Sequence, residues 1–238
     1  MGCSHRTKGE KMIDKFFDNA TKKRLFNNLP PVYAYYFDRE RVFFSEMLES
    51  RMNVADIGTG LGRIAQYVAP LVYPGDVFAI DNNQSVLDMA QQQFMAYKNI
   101  SVRTCDARVM SHQDISSYPI DAVILGWNIL GTVPNKIQQE ILSKSKGLLE
   151  GKGIMMGTVY SENAAQAQID LYSKNSSGNL IVSPRFVKNP DVPFISRRFS
   201  KDSLRVMLEK TFPKDSEYIL SIKEICPIAY GFSIRRKK

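Results

Sequence analysis

The spacing of the hydrophobic positions changes near residue 52. Upstream, over residues 10–50, apolar side chains recur at helical intervals and Leu29-Pro30-Pro31 interrupts them, which predicts two or three helices. Downstream, short apolar runs alternate with amphipathic stretches. The apolar runs predict five strands, Met52–Ile57, Asp76–Ile80, Ile100–Thr104, Ile120–Gly126 and Ile154–Tyr160. The amphipathic stretches near 61–72, 83–97 and 135–149 predict the helices between them.

The end of the chain departs from this alternation. A helix near 200–211, with Ser200 as its N-cap, leads to two apolar runs, Tyr218–Ile225 and Ile228–Ile234. Cys226-Pro227 joins the runs and is too short for a parallel crossover, so they must form a hairpin. Alternating strands and helices favour a parallel sheet that is covered on both faces. The pattern therefore predicts an α/β, doubly wound fold with a seven-stranded sheet, in which five parallel strands precede a C-terminal antiparallel hairpin.

Two segments fall outside this core. We expect residues 1–50 to form an N-terminal helical lid on the sheet domain, which spans residues 51–238. Between Tyr160 and Ser200, about forty residues fit no core element, and a segment of that length inside a compact domain is usually functional or a small subdomain. We therefore expect a substrate-side insertion at about 161–199.

Composition narrows the class of protein. With 238 residues, 44% hydrophobic and 24% charged, the chain can form one sizeable globular domain, which excludes wholesale disorder. It has no apolar run long enough for a transmembrane helix, and its first residues lack the apolar core of a secretory signal. Cys3, Cys105 and Cys226 are too few and too far apart for a disulfide scaffold or a zinc site. We expect reduced thiols, a cytoplasmic location, no membrane partner and no metal site.

The net charge of +8 is concentrated at the two ends of the chain. Residues 1–24 carry seven basic and three acidic side chains, and residues 235–238 carry four basic ones, which together account for the whole excess. A nucleic-acid enzyme more often spreads its positive charge along one face of its body. We therefore interpret the basic ends as solvated and do not expect a nucleic-acid partner, although weak attraction to an anionic partner remains open.

The strongest chemical signal is a glycine-rich turn after the first predicted strand. The segment Asp56–Ile64 reads Asp-Ile-Gly-Thr-Gly-Leu-Gly-Arg-Ile and runs from a strand into a helix. Its glycines allow a tight turn and a close backbone approach to a ligand, and the amides at the helix start favour a polar or anionic group. The spacing differs from the dinucleotide pattern Gly-x-Gly-x-x-Gly, and no Gly-Lys-Ser/Thr follows to form a phosphate loop.

Polar residues also follow the next three strands. Asp81 ends the second strand, where an acid can accept hydrogen bonds from ribose hydroxyls. Asp106 follows the third strand, where it can accept a hydrogen bond from an adenine amino group. Gly126-Trp127-Asn128 follows the fourth. Ligands of open α/β sheets bind at this carboxyl edge, so residues in this order predict one nucleoside site.

Over roughly residues 50–235, these features resemble the class I S-adenosylmethionine-dependent methyltransferases, which have a Rossmann-like fold. The resemblance implies that S-adenosyl-L-methionine is the cofactor. It further implies that the glycine turn holds the methionine part, Asp81 the ribose and Asp106 the adenine, while 126–128 pass beneath the sulfonium. The cofactor-binding residues expected on this basis are Asp56, Gly58, Thr59, Gly60, Gly62, Asp81, Asn82, Asp106, Ala107, Gly126 and Trp127.

Other segments are similar to a bacterial small-molecule subgroup of this superfamily. They are Asn128–Pro134, Tyr160-Ser161-Glu162 and Arg198-Phe199-Ser200. The chain departs from many small-molecule methyltransferases in one respect, because Gly131-Thr132 stand where a histidine pair would follow the fourth strand. An Asn-Pro-Pro-Tyr/Phe motif is also missing there, which argues against amino methylation of adenine or glutamine.

The acceptor site is expected between the N-terminal helices and the insertion. The candidate substrate-binding residues are Tyr33, Tyr36 and Arg197, since aromatic faces hold cations and arginine holds carboxylates. Asn128 and Tyr172 are the candidate catalytic residues. The two histidines, His5 and His112, are poor candidates for a general base. Because methyl transfer from a sulfonium is one in-line displacement with a good leaving group, positioning can supply most of the acceleration.

Three functions remain open at this point. The first is a small-molecule methyltransferase, acting as a monomer or a homodimer. The second is a cyclase of the azetidine-2-carboxylate type, in which the amino nitrogen of S-adenosylmethionine displaces methylthioadenosine. The third is an RNA methyltransferase or a binding module that uses the basic ends.

Overall fold

The core of the protein is a seven-stranded sheet with the order β3-β2-β1-β4-β5-β10-β9. In the computed structural model, residues 29–174, 179–190, 194–214 and 216–237 are described. The strands of this sheet are β1 (Val54–Ile57), β2 (Val77–Asp81), β3 (Ile100–Thr104), β4 (Ile120–Leu125), β5 (Leu149–Tyr160), β9 (Tyr218–Cys226) and β10 (Ala229–Arg236).

The pairing of these strands confirms the predicted fold class. β1 pairs in parallel with β2 and β4, β2 with β3, and β4 with β5. β10 is antiparallel to both β5 and β9. The sheet is therefore five parallel strands followed by the reversed hairpin that the short Cys226-Pro227 connection requires.

Helices cover both faces of the sheet. Their bounds are α1 (Pro31–Ser45), α2 (Arg63–Val72), α3 (Gln84–Phe94), α4 (His112–Ile115), α5 (Ile129–Thr132), α6 (Asn135–Leu148), α7 (Ala165–Ser173) and α8 (Lys201–Glu209). The apolar faces of α1, α2 and α3 pack in one core cluster, and those of α4, α6 and α8 in a second. Successive residues of a strand point to opposite faces, so Ala122 and Ile124 join the first cluster while Val123 and Leu125 join the second.

Helix α1 is a core element in the part of the expected lid that the structure describes. Tyr33, Tyr36 and Glu40 have no exposed surface, and Phe44 is 1% exposed. The helix begins at Pro31, a position where the missing amide hydrogen of proline has no cost. The helical pattern predicted within residues 10–28 lies outside the described residues.

The insertion expected at 161–199 forms a small subdomain at the carboxyl edge of the sheet. A short 3-10 helix (Glu162–Ala164) and α7 lead to an antiparallel sheet of β6 (Ile181–Ser183), β7 (Phe186–Asn189) and β8 (Phe194–Arg197). A bridge between Ser161 and Phe199 closes the base of the insertion. Within the described residues, no helix is both long and apolar enough to cross a membrane.

Candidate active site

The glycine turn after β1 leaves open space at its centre. Gly58, Gly60 and Gly62 all have positive φ angles, of 70°, 57° and 82°. A Cβ on Gly58 would lie 2.0 Å from Ile129 Cδ1, and one on Gly62 would lie 2.1 Å from Phe94 Cζ. A Cβ on Gly60 would meet no atom of the described residues within 4 Å. Gly58 and Gly62 are therefore constrained by packing, whereas Gly60 borders a space that a ligand can fill.

Asp56 lies beneath this turn and is 1% exposed. Its Oδ2 accepts a hydrogen bond of 2.7 Å from the hydroxyl of Thr59, whose amide donates to Ile80 O. Burial raises the pKa of Asp56 to about 6, and the hydrogen bond from Thr59 opposes that shift. In this geometry Asp56 fixes the conformation of the turn through Thr59.

Two further carboxylates follow β2 and β3. Asp81 accepts hydrogen bonds from the amides of Gly60 and Asn83, each at 3.0 Å, and so connects the glycine turn to the end of β2. Asp106 forms an ion pair with Arg108, with 2.5 Å between Asp106 Oδ2 and Arg108 Nη2. Asp81 and Asp106 follow neighbouring strands of the same parallel sheet, so both lie at its carboxyl edge. Asn82 is exposed beside Asp81, and Ala107 is half-buried against the second core cluster.

The segment after β4 has an unusual backbone. Trp127 and Asn128 both have positive φ angles, of 39° and 60°, a conformation that non-glycine residues rarely adopt. The amide of Trp127 donates to Glu40 Oε1 at 2.9 Å and to Thr158 Oγ1 at 3.0 Å. These two acceptors hold the segment in place, and Gly126 gives Ile64 the space that a Cβ would occupy.

Glu40 is the principal site residue that the sequence analysis did not identify. It is fully buried, and its carboxylate accepts hydrogen bonds from the hydroxyls of Tyr36 and Thr158 as well as from the Trp127 amide. Its Oε2 lies 2.5 Å from Arg63 Nη2. Burial, together with the charge of Glu40, raises the pKa of Tyr36. Residues 38–41 are all charged, and no local pattern shows that one of them is buried. The role of Glu40 is visible only in the packing of α1 against the sheet.

Arg63 retains one donor for a ligand. Its guanidinium lies 3.9 Å from the ring centroid of Phe37 and 6.0 Å from that of Trp127. Nη2 pairs with Glu40, whereas Nη1 is buried and has no hydrogen-bond partner among the described residues. Because buried polar groups are normally satisfied, Nη1 indicates a place for an anionic group of a ligand.

Four buried tyrosines, Tyr33, Tyr36, Tyr160 and Tyr172, form a polar cluster with the partly buried Trp127 at the same edge. Trp127 Nε1 donates to the hydroxyl of Tyr160 at 2.7 Å, and that hydroxyl lies 3.2 Å from the hydroxyl of Tyr33. Tyr172, from α7, donates to Ser196 Oγ at 3.2 Å. Burial raises the pKa of Tyr33 and Tyr160 well above the usual value and that of Tyr172 to about 12. The hydroxyls therefore stay protonated at neutral pH.

Asn128 connects the sheet to the insertion. Its Nδ2 donates hydrogen bonds to Ser196 Oγ and to Arg197 O, each at 3.2 Å. Its Oδ1 accepts a hydrogen bond of 3.1 Å from the amide of Tyr160. The side chain is 1% exposed. These contacts use the whole amide group, so Asn128 positions the neighbouring elements.

The structure brings most of the expected residues together at one edge. Tyr33, Tyr36 and Tyr172 meet Trp127 and Tyr160 in the buried cluster. Arg197 does not join it, because its Nη1 donates to Val133 O at 2.6 Å and its side chain lines a cleft beside α6 and α8. Of the expected substrate-binding residues, Arg197 therefore lines a cleft that Tyr33 and Tyr36 do not line.

The groups present at the edge fit S-adenosylmethionine. The open space at Gly60 suits a closely approaching ligand, the Asp81 carboxylate can accept from ribose hydroxyls, and Arg63 Nη1 can donate to a carboxylate. The fit at the adenine end requires Asp106 to accept a further donor while it is paired with Arg108.

Comparisons with known proteins agree with this assignment. Residues 54–153 match the model of a family described as a methyltransferase domain. No curated protein sequence gives a significant match.

Solved structures with the same fold include several methyltransferases. The DhpI complex with SAH has a TM-score of 0.70 and 14% identity, covering 98% of this chain and 99% of that one. The Burkholderia thailandensis 1,6-didemethyltoxoflavin-N1-methyltransferase, with bound 1,6-didemethyltoxoflavin and S-adenosylhomocysteine, has a TM-score of 0.63 and 13% identity, with coverages of 100% and 94%. A SAM-dependent methyltransferase from Aquifex aeolicus has a TM-score of 0.61 and 15% identity, with coverages of 90% and 97%. At these identities the likeness establishes the fold.

Proposed function

Because residues 54–153 match a methyltransferase domain, we propose that the chain is a class I S-adenosylmethionine-dependent methyltransferase that methylates a small molecule by in-line transfer, with catalysis mainly by positioning. The observation that carries this proposal is the buried cluster around Trp127. Tyr33 from α1, Tyr160 from β5 and Tyr172 from the insertion enclose the edge where the methyl donor should lie. An enclosed aromatic site suits a small acceptor better than a polymer.

The cofactor would be held by groups already described. Asp81 would accept hydrogen bonds from the ribose, Asp106 and Ala107 would face the adenine, and Arg63 Nη1 would pair with the amino-acid carboxylate. The glycine turn would pass alongside, with Gly60 at the closest approach. S-adenosylmethionine, when bound, supplies an electrophilic methyl group.

The same geometry favours an acceptor that needs little help to lose a proton. The tyrosines of the cluster stay protonated, and the carboxylate of Glu40 is committed to four donors. His112, the one histidine among the described residues, begins α4 after β3 rather than following β4. A neutral amine or an acceptor that arrives ionised can react without a general base. The aromatic rings and neutral hydroxyls would orient such an acceptor and exclude water.

A small acceptor also agrees with the neighbours, since the Burkholderia thailandensis enzyme is named for a small-molecule substrate. The charge distribution is consistent with this, because the positive excess lies at the ends of the chain.

The decisive experiment measures cofactor binding and methyl transfer separately. Calorimetry should show S-adenosylhomocysteine binding at least tenfold weaker to Asp81→Ala than to the wild type, because unpaired ribose hydroxyls cost about 1–3 kcal/mol. Asp88→Ala, an exposed change on α3, is the control. A screen of amines, phenols and carboxylates with methyl-labelled cofactor should then identify an acceptor class. Labelling of RNA and of no metabolite would overturn the small-molecule proposal, and unchanged binding to Asp81→Ala would overturn the cofactor site.

One observation favours the cyclase as a second candidate. Tyr33 and Tyr36 are fully buried and Tyr160 is 1% exposed, so these side chains leave little surface open to an acceptor next to Trp127. A reaction within S-adenosylmethionine itself needs no room for an acceptor. Incubation with the cofactor alone separates the two functions, because methylthioadenosine formed without an acceptor would support the cyclase.

A further inference from the structure

A second concave site lies beside α6 and α8. It is a cleft of about 780 Å³ that is walled by α6, by α8 and by the turn between β6 and β7. Its lining includes Arg197 but neither Trp127 nor any residue expected to hold the cofactor. Volumes of about 300–1,000 Å³ are typical of sites for small molecules. The cleft is thus large enough for a ligand of its own.

The charges lining this cleft are unbalanced. Four cationic side chains, Arg185, Arg197, Arg198 and Lys210, face one carboxylate, that of Glu162. Glu162 accepts a hydrogen bond of 3.1 Å from the hydroxyl of Tyr230. Within the described part of the chain, Arg185, Arg197 and Lys210 form no ion pair with an acid. Their positive charge is therefore available to an anionic ligand.

Two of the arginines are held rigidly by neutral acceptors. Arg198 donates to Gln168 Oε1 at 2.5 Å, to Pro184 O at 3.3 Å and to Ser183 O. These bonds fix the turn that carries Arg185, and no carboxylate in the described part of the chain pairs with Arg198. Arg197 is oriented by its bond to Val133 O. Pre-ordered cations of this kind bind an anion with a smaller loss of side-chain entropy.

The cleft also offers apolar surface. Phe199 and Met207 are each 7% exposed, whereas Val206 is 59% exposed on α8 beside them. The half-buried Phe186 of β7 also lines the cleft. Cations beside apolar side chains complement an organic anion. Arginine pairs with the anionic group, and the apolar side chains contact the hydrocarbon part of the ligand.

We propose that this cleft binds a small organic anion, a carboxylate or a phosphate-type group on an apolar body, independently of the cofactor site. The concave shape and the apolar lining residues distinguish it from a nucleic-acid-binding surface, which needs cations along an extended track. Two probes, one with a carboxylate and one with a phosphate, show which of the two groups the cleft binds.

The test is direct binding of matched aromatic probes, measured by calorimetry with the full-length protein. Phenyl phosphate and benzoate carry the two kinds of anion, and benzyl alcohol is the neutral match. We expect at least one of the anions to bind at least fivefold more tightly than benzyl alcohol, with an affinity that falls as NaCl rises from 50 to about 300 mM. In Arg185→Gln/Lys210→Gln that affinity should fall at least fivefold.

Lys136→Gln is the control, because Lys136 is 88% exposed on α6 and does not line the cleft. The affinity for S-adenosylhomocysteine should be unchanged in the double variant, which keeps this test separate from that of the methyltransferase site. Equal binding of benzyl alcohol, full retention of anion binding in the double variant, or displacement of the anion by S-adenosylhomocysteine would each overturn the proposal. The proposal would also be overturned if the double variant lost binding to RNA while its affinity for the aromatic anions stayed the same.

Discussion

The buried carboxylate of Glu40 accepts a hydrogen bond of 2.9 Å from the backbone amide of Trp127 and so connects α1 to the segment that follows β4. The same carboxylate pairs with Arg63, which begins the helix after the glycine turn. One side chain therefore fixes the orientation of three elements around the proposed reaction centre. Its substitution should affect both stability and function.

For Glu40→Gln we expect a loss of about 3 kcal/mol in the free energy of unfolding, since breaking a buried ion pair leaves Arg63 uncompensated. Methyl transfer should fall at least tenfold in the folded fraction, because Trp127 loses its charged acceptor. Denaturant unfolding and activity measurements check these two effects. Glu46→Gln is the matched control, because Glu46 is half exposed in its ion pair with Lys223, and it should change stability by less than about 0.5 kcal/mol.

The raised pKa of Asp56 makes a prediction about pH. An aspartate with a pKa of 3.8 in the unfolded chain and about 6 in the folded protein binds more protons when folded. Its contribution to stability is fully present below pH 3.8 and is lost as pH rises through 6. Asp56→Asn removes that dependence, so the variant should gain stability relative to the wild type by about 2 kcal/mol between pH 4 and pH 7. Denaturant titrations at a series of pH values measure this difference, and a difference that is constant with pH would contradict the assignment.

Gly60 and Gly62 should respond differently to the same substitution. Gly60→Ala places a methyl group in open space and adds only the cost of a left-handed alanine, about 1–2 kcal/mol. It should nevertheless weaken S-adenosylhomocysteine binding at least tenfold, because the methyl group would occupy the cofactor's space. Gly62→Ala should lose more stability, because its Cβ would overlap the ring of Phe94. Thermal unfolding and calorimetry on the pair check both effects, and normal binding by Gly60→Ala would show that the turn is structural only.

Tyr172→Phe should lower turnover more than cofactor affinity. The change removes the hydrogen bond to Ser196 Oγ, worth about 1 kcal/mol, and alters the wall of the proposed acceptor site without touching the glycine turn. Asn128→Ala acts on the same wall but removes three hydrogen bonds and places alanine at a φ of 60°, so it should also lower the melting temperature. Steady-state kinetics and calorimetry separate the two effects. Equal losses in turnover and affinity for Tyr172→Phe would place it in the cofactor site.

The sequence by itself determined the order and type of the elements that carry the proposed cofactor site. Apolar runs identified the strands because buried parallel strands are apolar on both faces. Asp81 and Asp106 could be placed at one edge of the sheet because each ends or follows a strand, and the carboxyl ends of parallel strands meet at one edge. The hairpin followed from a two-residue connection. All of these are local signals.

Only the tertiary structure decided what surrounds the proposed reaction centre. The contact of Glu40 with Thr158 joins residues 118 positions apart, and that of Tyr33 with Tyr160 joins residues 127 positions apart. Neither has a local pattern, because both depend on how α1 packs against the sheet. Arg197 was expected among the aromatic residues, but its side chain donates to Val133 O and lines the separate cleft. Side chains from distant segments meet only where the packing of helices on the sheet brings them, and spacing along the chain does not contain that information.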